Sequence, residues 1–511
     1  MSKVESEISG GALDTIAVMN PATGETISLV EQDSPESVKT AVTRVRANQS
    51  DWEALGFRER ARWLGKLRDW MLDNADRITD TMQAETGKVR SEAANEAVYL
   101  ADQINFYSAK ASRFLREERV TGHSLLTVSR KLRIQYRPYP VVGLISPWNF
   151  PLILSLGDAI PALMAGATVV MKPSEFTPMA LAEIVDVWRE EIGGPDVIAV
   201  VQGKAETASA LIDEADFIGF TGSDRTGKLV MARAADTLTP VSLELGGKDP
   251  MLVLEGANVA RAVRAATWGG MMNSGQICMS VERIYVEEPV YDEFVAGLTE
   301  SVAALRQGPD GPSFGSEVGA MTSPNQTSIV AGQVSEAIEH GARALVGGRR
   351  VDGPGDYYQP TVLVDVDHSM RVMREETFGP VVGVMKVGDA DEAVRLANDT
   401  RYGLSATVFG PKRKAEQVAR RIECGGVNVN DVLSNAMVPG VPMGGWKDSG
   451  IGYRNGKTGI RKYCRSEAIV SARSQKLPEP FWYPYTATRR NSVRKLTRLI
   501  NARGIKRRLG L

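Results

Sequence analysis

Cys278 ends the segment Asn273-Ser274-Gly275-Gln276-Ile277-Cys278, where small, flexible residues leave a thiol at a turn. A thiolate is a strong nucleophile once its pKa is lowered or a base stands near. A lone cysteine is more often a buried, inert hydrophobe, so this one needs partners. Glu244 is a candidate, 34 residues upstream in Glu244-Leu245-Gly246-Gly247-Lys248 and just after the strand-like Val241-Ser242-Leu243. A carboxylate at a strand end can serve as general base for water or thiol. The plainer reading is a surface glutamate at a loop. Asn149, in Pro147-Trp148-Asn149-Phe150-Pro151, follows another strand-like run. Its amide suits an oxyanion, or it is simply a turn residue between prolines. Gly222-Ser223-Asp224-Arg225-Thr226-Gly227 opens a helix after the run FIGFT. Free amides at a helix start can accept a pyrophosphate, although the full GxGxxG fingerprint is absent.

Such residues need a scaffold that delivers several strand ends to one place. From Val141 the runs VVGLIS, ATVVMKP, VIAVVQG and FIGFTG alternate with helical stretches. That alternation predicts a parallel α/β sheet. A second alternating section runs from Pro250 to Asn430. Ahead of both, residues 35–115 read as amphipathic helices. Leu64, Leu67, Met71, Ala75 and Ile78 step by three or four onto one face. Leu125, Thr127, Leu132, Ile134 and Tyr136 alternate around polar residues, which predicts extended strands over 118–136. Residues 462–473 read as one more strand. The apolar stretch Pro151–Met171 contains Asp158, Pro161 and Gly166, which argue against a membrane span. A buried helix followed by a strand over Ala167–Met171 fits it better.

The chain has 511 residues, with 43% hydrophobic and 24% charged, so it can bury large cores in about two to four domains. Its net charge is -1, which disfavours a general nucleic-acid binder. The balance is uneven. From Phe481 onward there are nine basic residues and no acidic one, leaving 52 basic against 62 acidic in the rest. Within Arg489–Arg503, Val493, Leu496 and Ile500 share a helical face among arginines. This is either a solvated or subunit-docking tail, the weightier reading, or a basic amphipathic helix at a membrane surface. Three cysteines give no disulfide framework, and three histidines without metal-ligand spacing give no expectation of a metal site. Cys424 and Cys464 read as structural. The start MSKVESEISGG lacks the basic and apolar regions of a signal peptide, so a cytoplasmic protein is expected, with a membrane-peripheral one as alternative.

Taken in order, PWNFP, KPSE, FTGS, ELGGK, GQIC, ETFGP and MGGWKDSG resemble the NAD(P)-dependent aldehyde dehydrogenase superfamily over roughly residues 20–475. The resemblance implies that Cys278 is the nucleophile, Glu244 the base and Asn149 the oxyanion donor. It implies that Lys172 and Glu175 meet the adenosine ribose, that Ser174 beside them belongs to the cofactor site, and that Gly222 and Ser223 meet the pyrophosphate. Glu376 and Phe378 would contact the nicotinamide side, with Trp148 and Leu245 lining the cofactor path. Glu244 favours hydrolysis of the acyl intermediate over its transfer to coenzyme A. The Glu175 carboxylate favours NAD by repelling a 2′-phosphate, with NADP still open.

The implied fold is α/β, with a Rossmann-like cofactor domain (residues 1–117 and 137–246) and an α/β catalytic domain (247–445). A small oligomerisation sheet (118–136 and 462–475) and a basic tail (476–511) complete it. A homodimer or homotetramer is expected, with a small-molecule aldehyde as substrate and no nucleic-acid partner. Gly157-Asp158 replaces a bulky or cationic pair of many relatives, which predicts a wider tunnel without a carboxylate clamp. The segment Asp431–Met443 is apolar and without Lys or Arg. An uncharged aliphatic or aromatic aldehyde is therefore the first substrate reading. Succinate semialdehyde, with Arg283 reaching the pocket, and a long-chain aldehyde at a membrane are the alternatives.

Overall fold

The computed structural model describes residues 15–122, 127, 129–474, 476, 479 and 482–509. Two compact units are formed, Met1–Ala111 with Pro138–Tyr463, and Ser112–Arg137 with Cys464–Leu511.

The larger unit holds two main sheets. In the first, the strands Val241–Glu244, Phe217–Thr221, Val141–Ile145, Thr168–Lys172 and Ile198–Val200 lie side by side and parallel, with Gly450–Ile451 antiparallel at one edge. Val141–Ile145, Thr168–Lys172 and Phe217–Thr221 are buried along their whole length. Continuous apolar runs rather than alternating ones are the signature of strands covered on both faces. The covering helices come from the intervening sequence, among them Ile153–Ala165, which is almost wholly buried. The apolar stretch thus resolves into the expected helix and strand. The second sheet has seven strands, with Val281–Glu287 in the middle and Asp249–Val253 between it and Ser405–Phe409. All its pairings are parallel except that of Arg343–Val346 with Thr361–Val364.

Residues 35–114 form the predicted helices, with Leu64, Leu67, Met71 and Ile78 buried. The smaller unit holds the three-stranded sheet Cys464–Ala472, Arg130–Pro138 and Glu118–Val120. Extended structure over 118–136 is therefore interrupted, and Leu125 lies outside the described residues. The tail carries the helix Ala487–Asn501.

Candidate active site

Strand register brings the singled-out residues together. Ile145 is level with both Lys172 and Phe220, and Thr221 with Glu244. The segments that follow these strands, with Trp148 and Asn149, Gly222 and Ser223, and Leu245, therefore emerge at one edge of the first sheet. Carboxyl ends of parallel strands are where such sheets bind ligands. The chain then crosses to the second sheet within five residues. Asp249 pairs with Val281, so the two glycines after Leu245 and the segment ending in Cys278 precede neighbouring strands. Gly247 packs so closely that a Cβ there would come within 2.3 Å of the Cys278 carbonyl oxygen.

Cys278 follows a left-handed turn. Asn273, Ser274 and Gly275 have φ of 52°, 54° and 68°. Non-glycine residues pay a steric penalty there, so the surroundings must hold them. The Asn273 N–H donates to Glu92 Oε1 at 2.9 Å, Ser274 Oγ to the Gly319 carbonyl at 2.9 Å, and Gln276 Nε2 to the Asn273 carbonyl at 2.9 Å. Gly275 is forced by proximity, since a Cβ would lie 2.0 Å from the Gly379 oxygen.

Asn149 is buried, and its Nδ2 donates to the Gln276 carbonyl at 2.8 Å. Its own carbonyl accepts from Lys88 Nζ at 2.8 Å and Asn273 Nδ2 at 3.0 Å. Lys88 is paired with buried Glu96 at 2.7 Å, and the other Glu96 oxygen accepts from the N–H groups of Leu152 and Ile153 at 3.0 Å each. A carboxylate at that helix start meets the orphan donors and the positive end of the helix dipole.

Glu244 is buried with neither carboxylate oxygen hydrogen-bonded. Burial raises its pKa to about 7, opposed by Arg454 and Lys462. The Cys278 thiol is pushed up to about 12, by desolvation first and then by the Glu376 and Asp249 carboxylates. Glu376 Oε1 accepts from the Gly247 N–H at 3.0 Å, and burial lifts its carboxyl to about 8. The Phe378 ring meets Trp148 edge to face with centroids 5.4 Å apart. The loop that carries Glu376 and Phe378 is fastened by Glu282, whose carboxylate accepts from the N–H groups of Thr377 and Phe378 at 2.9 Å each. Lys248 is buried against Glu282 and also donates to Thr377 Oγ1 at 2.8 Å.

Two cavities of different character meet here. A cleft of about 450 Å³ is lined by Trp148, Gly222, Ser223, Glu244, Leu245, Glu376 and Phe378, with Arg371 and Arg401. A narrower cavity of about 140 Å³ is mostly apolar, with Phe150, Trp268, Met272, Leu433, Met437 and Met443 in its wall. Cys278, Asn149 and Leu154 line both. Lys172, Ser174 and Glu175 do not line the cleft. Lys172 Nζ donates to the Pro173 carbonyl at 2.7 Å and stands 4.0 Å from Glu175. Ser223 caps the helix Asp224–Ala235, its Oγ accepting from the Thr226 N–H.

On the substrate side one expectation is corrected. Arg283 does not reach the apolar cavity. It is fully buried elsewhere, donating to the carbonyls of Lys248, Leu396 and Ala397. Gly157 does line the cavity, but Gln103 packs onto it, with Nε2 donating to the Gly157 carbonyl at 2.9 Å, and takes up part of the room. Asp158 points away into a buried cluster, accepting from Arg454 Nη2 at 2.7 Å, Lys462 Nζ at 3.2 Å and Tyr463 Oη at 2.9 Å. Burial alone raises its pKa, yet Arg454 and Lys462 hold the carboxyl well below the usual range.

The supporting residues Glu92, Glu96, Lys248, Glu282 and Arg454 were not singled out from the sequence. A signal existed for two of them. Glu92 and Glu96 stand four apart on the stripe of Ala93, Ala97, Leu100 and Ile104, and carboxylates on a buried face must be paired. Cys424 is buried, its Sγ 3.1 Å from the Gly426 carbonyl. Among the described residues, no group of side chains is arranged to hold a metal ion.

The sequence profile of the aldehyde dehydrogenase family matches residues 8–469. A 4,4'-diapolycopene aldehyde oxidase from a Methylomonas species is 40% identical over 484 residues, covering 93% of this chain and 89% of its own. A Mycolicibacterium smegmatis protein with the provisional name succinate-semialdehyde dehydrogenase [NADP(+)] is also 40% identical, over 90% of this chain and 89% of its own. The solved NAD-dependent aldehyde dehydrogenase of Sinorhizobium meliloti superposes with a TM-score of 0.86 at 32% identity, covering 91% of this chain and 93% of that one. With the family profile matched over residues 8–469 and the fold shared over nearly its whole length with a solved member, the chain belongs to the aldehyde dehydrogenase family.

Proposed function

We propose that this protein oxidises an uncharged, largely apolar aldehyde to its carboxylic acid with NAD(P)+ as oxidant. The observation that carries the reading is the meeting of the polar cleft and the apolar cavity at Cys278 and Asn149. A nucleophile there reaches a substrate from one side and a cofactor from the other.

The residues present fit a dinucleotide. Gly222 and Ser223 stand at a helix start, two arginines line the cleft, and small residues keep its floor low. Gly227 allows close packing of that helix on Leu245, where a Cβ would come within 2.6 Å of the leucine side chain. Bound in this cleft, an oxidised nicotinamide would supply the hydride acceptor.

The chain's own residues do the rest. Cys278 gives its proton to the Glu244 carboxylate, which releases it to solvent, and its sulfur bonds to the aldehyde carbon, placing a negative charge on the former carbonyl oxygen. The second Asn149 amide proton, not used by Gln276, donates to that oxygen. Loss of hydride leaves a thioester on Cys278. Glu244, with both oxygens unoccupied, takes a proton from water as the water oxygen attacks the thioester carbon. The C–S bond breaks, the acid departs, and the thiolate is restored. A carboxyl near pKa 7 suits this work, because a base is most effective when its pKa is close to the working pH.

The cavity wall argues for an uncharged substrate. Glu92 lines it with one oxygen unpartnered, which disfavours an incoming carboxylate. A second reading, succinate semialdehyde, is favoured by one observation: Arg454 also lines this cavity. Its charge, however, is already balanced by Asp158. NAD(P)H formation with hexanal, decanal, benzaldehyde, butanal and succinate semialdehyde tests the choice. Higher kcat/KM for the apolar aldehydes is expected; a strong preference for succinate semialdehyde over butanal overturns it.

A further inference from the structure

We infer that residues 482–509 dock this enzyme onto the surface of an anionic lipid bilayer. Nothing in the catalytic reading requires this segment, and the inference is independent of it.

The tail combines two features that water alone does not reconcile. It carries nine basic residues and no acidic one, and among the described residues none of the nine is in an ion pair. It also exposes large apolar side chains: Trp482 is 69% exposed, Tyr483 80%, Tyr485 73%, Ile505 77% and Leu509 62%. The helix Ala487–Asn501 contains no buried residue, and Leu499 stands exposed among its arginines. The segment is nonetheless ordered. Thr486 Oγ1 caps the helix, accepting from the Arg489 N–H at 3.2 Å. The short helix Ile505–Leu509 is tied back by Arg498 Nε to the Arg507 carbonyl at 2.6 Å and Arg508 Nε to the Ala502 carbonyl at 2.9 Å. At its start, Glu479 pairs with Arg130 of the strand Arg130–Pro138 at 2.6 Å.

An anionic bilayer satisfies both features. Lys and Arg are drawn to acidic headgroups, Trp and Tyr settle at the headgroup level, and Leu and Ile enter the acyl boundary. A nucleic acid would use the cations and stack on the aromatic rings, but it gives Leu499, Ile505 and Leu509 nothing. Attachment is peripheral, since among the described residues no helix is long and apolar enough to cross a membrane. The rest of the chain has an acidic excess and is repelled by such a surface, which leaves the tail as the contact.

Sedimentation of the full chain with phosphatidylcholine vesicles, with and without phosphatidylglycerol, tests the inference. Binding only to the anionic vesicles is expected, falling as salt is raised. Arg494→Glu with Arg498→Glu weakens it about fivefold or more per reversed charge. Trp482→Ser with Leu499→Ser and Ile505→Ser weakens it at fixed charge. Turnover of a water-soluble aldehyde stays unchanged in both variants, which shows that they are folded. Equal binding to neutral vesicles, no binding to anionic ones at low salt, or no loss in either variant overturns the inference. So does retention on a DNA or RNA oligomer that anionic vesicles fail to displace.

Discussion

The side-chain amide of Asn149 donates to the carbonyl oxygen of Gln276 at 2.8 Å, two residues before Cys278. One amide proton thereby fixes the group against the turn that presents the thiol, and the other stays available. The same contact ties the first sheet to the second, because Asn149 follows Val141–Ile145 and Cys278 precedes Val281–Glu287.

Asn149→Ala removes both the anchor and the donor. Loss of one such donor typically costs about 3 kcal/mol of transition-state stabilisation, so kcat should fall on the order of a hundredfold or more. Steady-state turnover of hexanal measures it. A titration of NAD(P)+ binding should be little changed, and an equal loss in both would mean that the residue only supports the fold.

Glu244 ionises with a pKa of about 7, so hydrolysis should rise with pH through that value as the carboxylate becomes available. In Glu244→Gln the limb should vanish, and rapid mixing should show a burst of NAD(P)H followed by slow turnover. Stability follows the opposite sign. A carboxyl whose folded pKa lies above its unfolded value favours folding at low pH, and that contribution is lost as pH climbs through the folded value. Glu244→Gln should therefore melt higher than the unaltered protein at pH 8, with the difference shrinking by pH 5.

Asp158→Asn leaves Arg454 buried without its counter-charge. Removing one partner of a buried pair costs about 3–5 kcal/mol, to be read from denaturant unfolding. Among folded molecules, the uncompensated guanidinium in the cavity wall should raise kcat/KM for succinate semialdehyde relative to butanal. An unchanged ratio would show that Arg454 does not act on the substrate side.

The Lys248–Glu282 pair acts on the cleft through the Thr377 and Phe378 amides. Glu282→Gln should lower the melting temperature and raise KM for the cofactor, because the Phe378 loop loses its anchor. A variant that lost stability with KM intact would confine the pair to the fold.

Much of this was legible in the chain order. The alternation of apolar runs predicted parallel α/β sheets because strands buried on both faces must be continuously apolar. The words around Cys278, Glu244 and Asn149 were local, with Glu244 and Asn149 after predicted strands and Cys278 after a short flexible segment. That is why the register of the parallel strands could gather them. The interruption within 118–136 was not legible, since alternation does not mark where pairing stops.

What only the tertiary structure decided was the pairing of buried charges. Arg283 and Asp158 sit in sequence near the words that suggested a pocket, yet their partners come from Leu396, Ala397, Arg454 and Lys462, far along the chain. A buried charge goes where a counter-charge or a set of carbonyls can satisfy it, and sequence spacing does not fix that. The residue types thus determined the chemistry available to this protein. Desolvation in the assembled site, which lifts Cys278 and Glu244 and frees both oxygens of the latter, decided how that chemistry is poised.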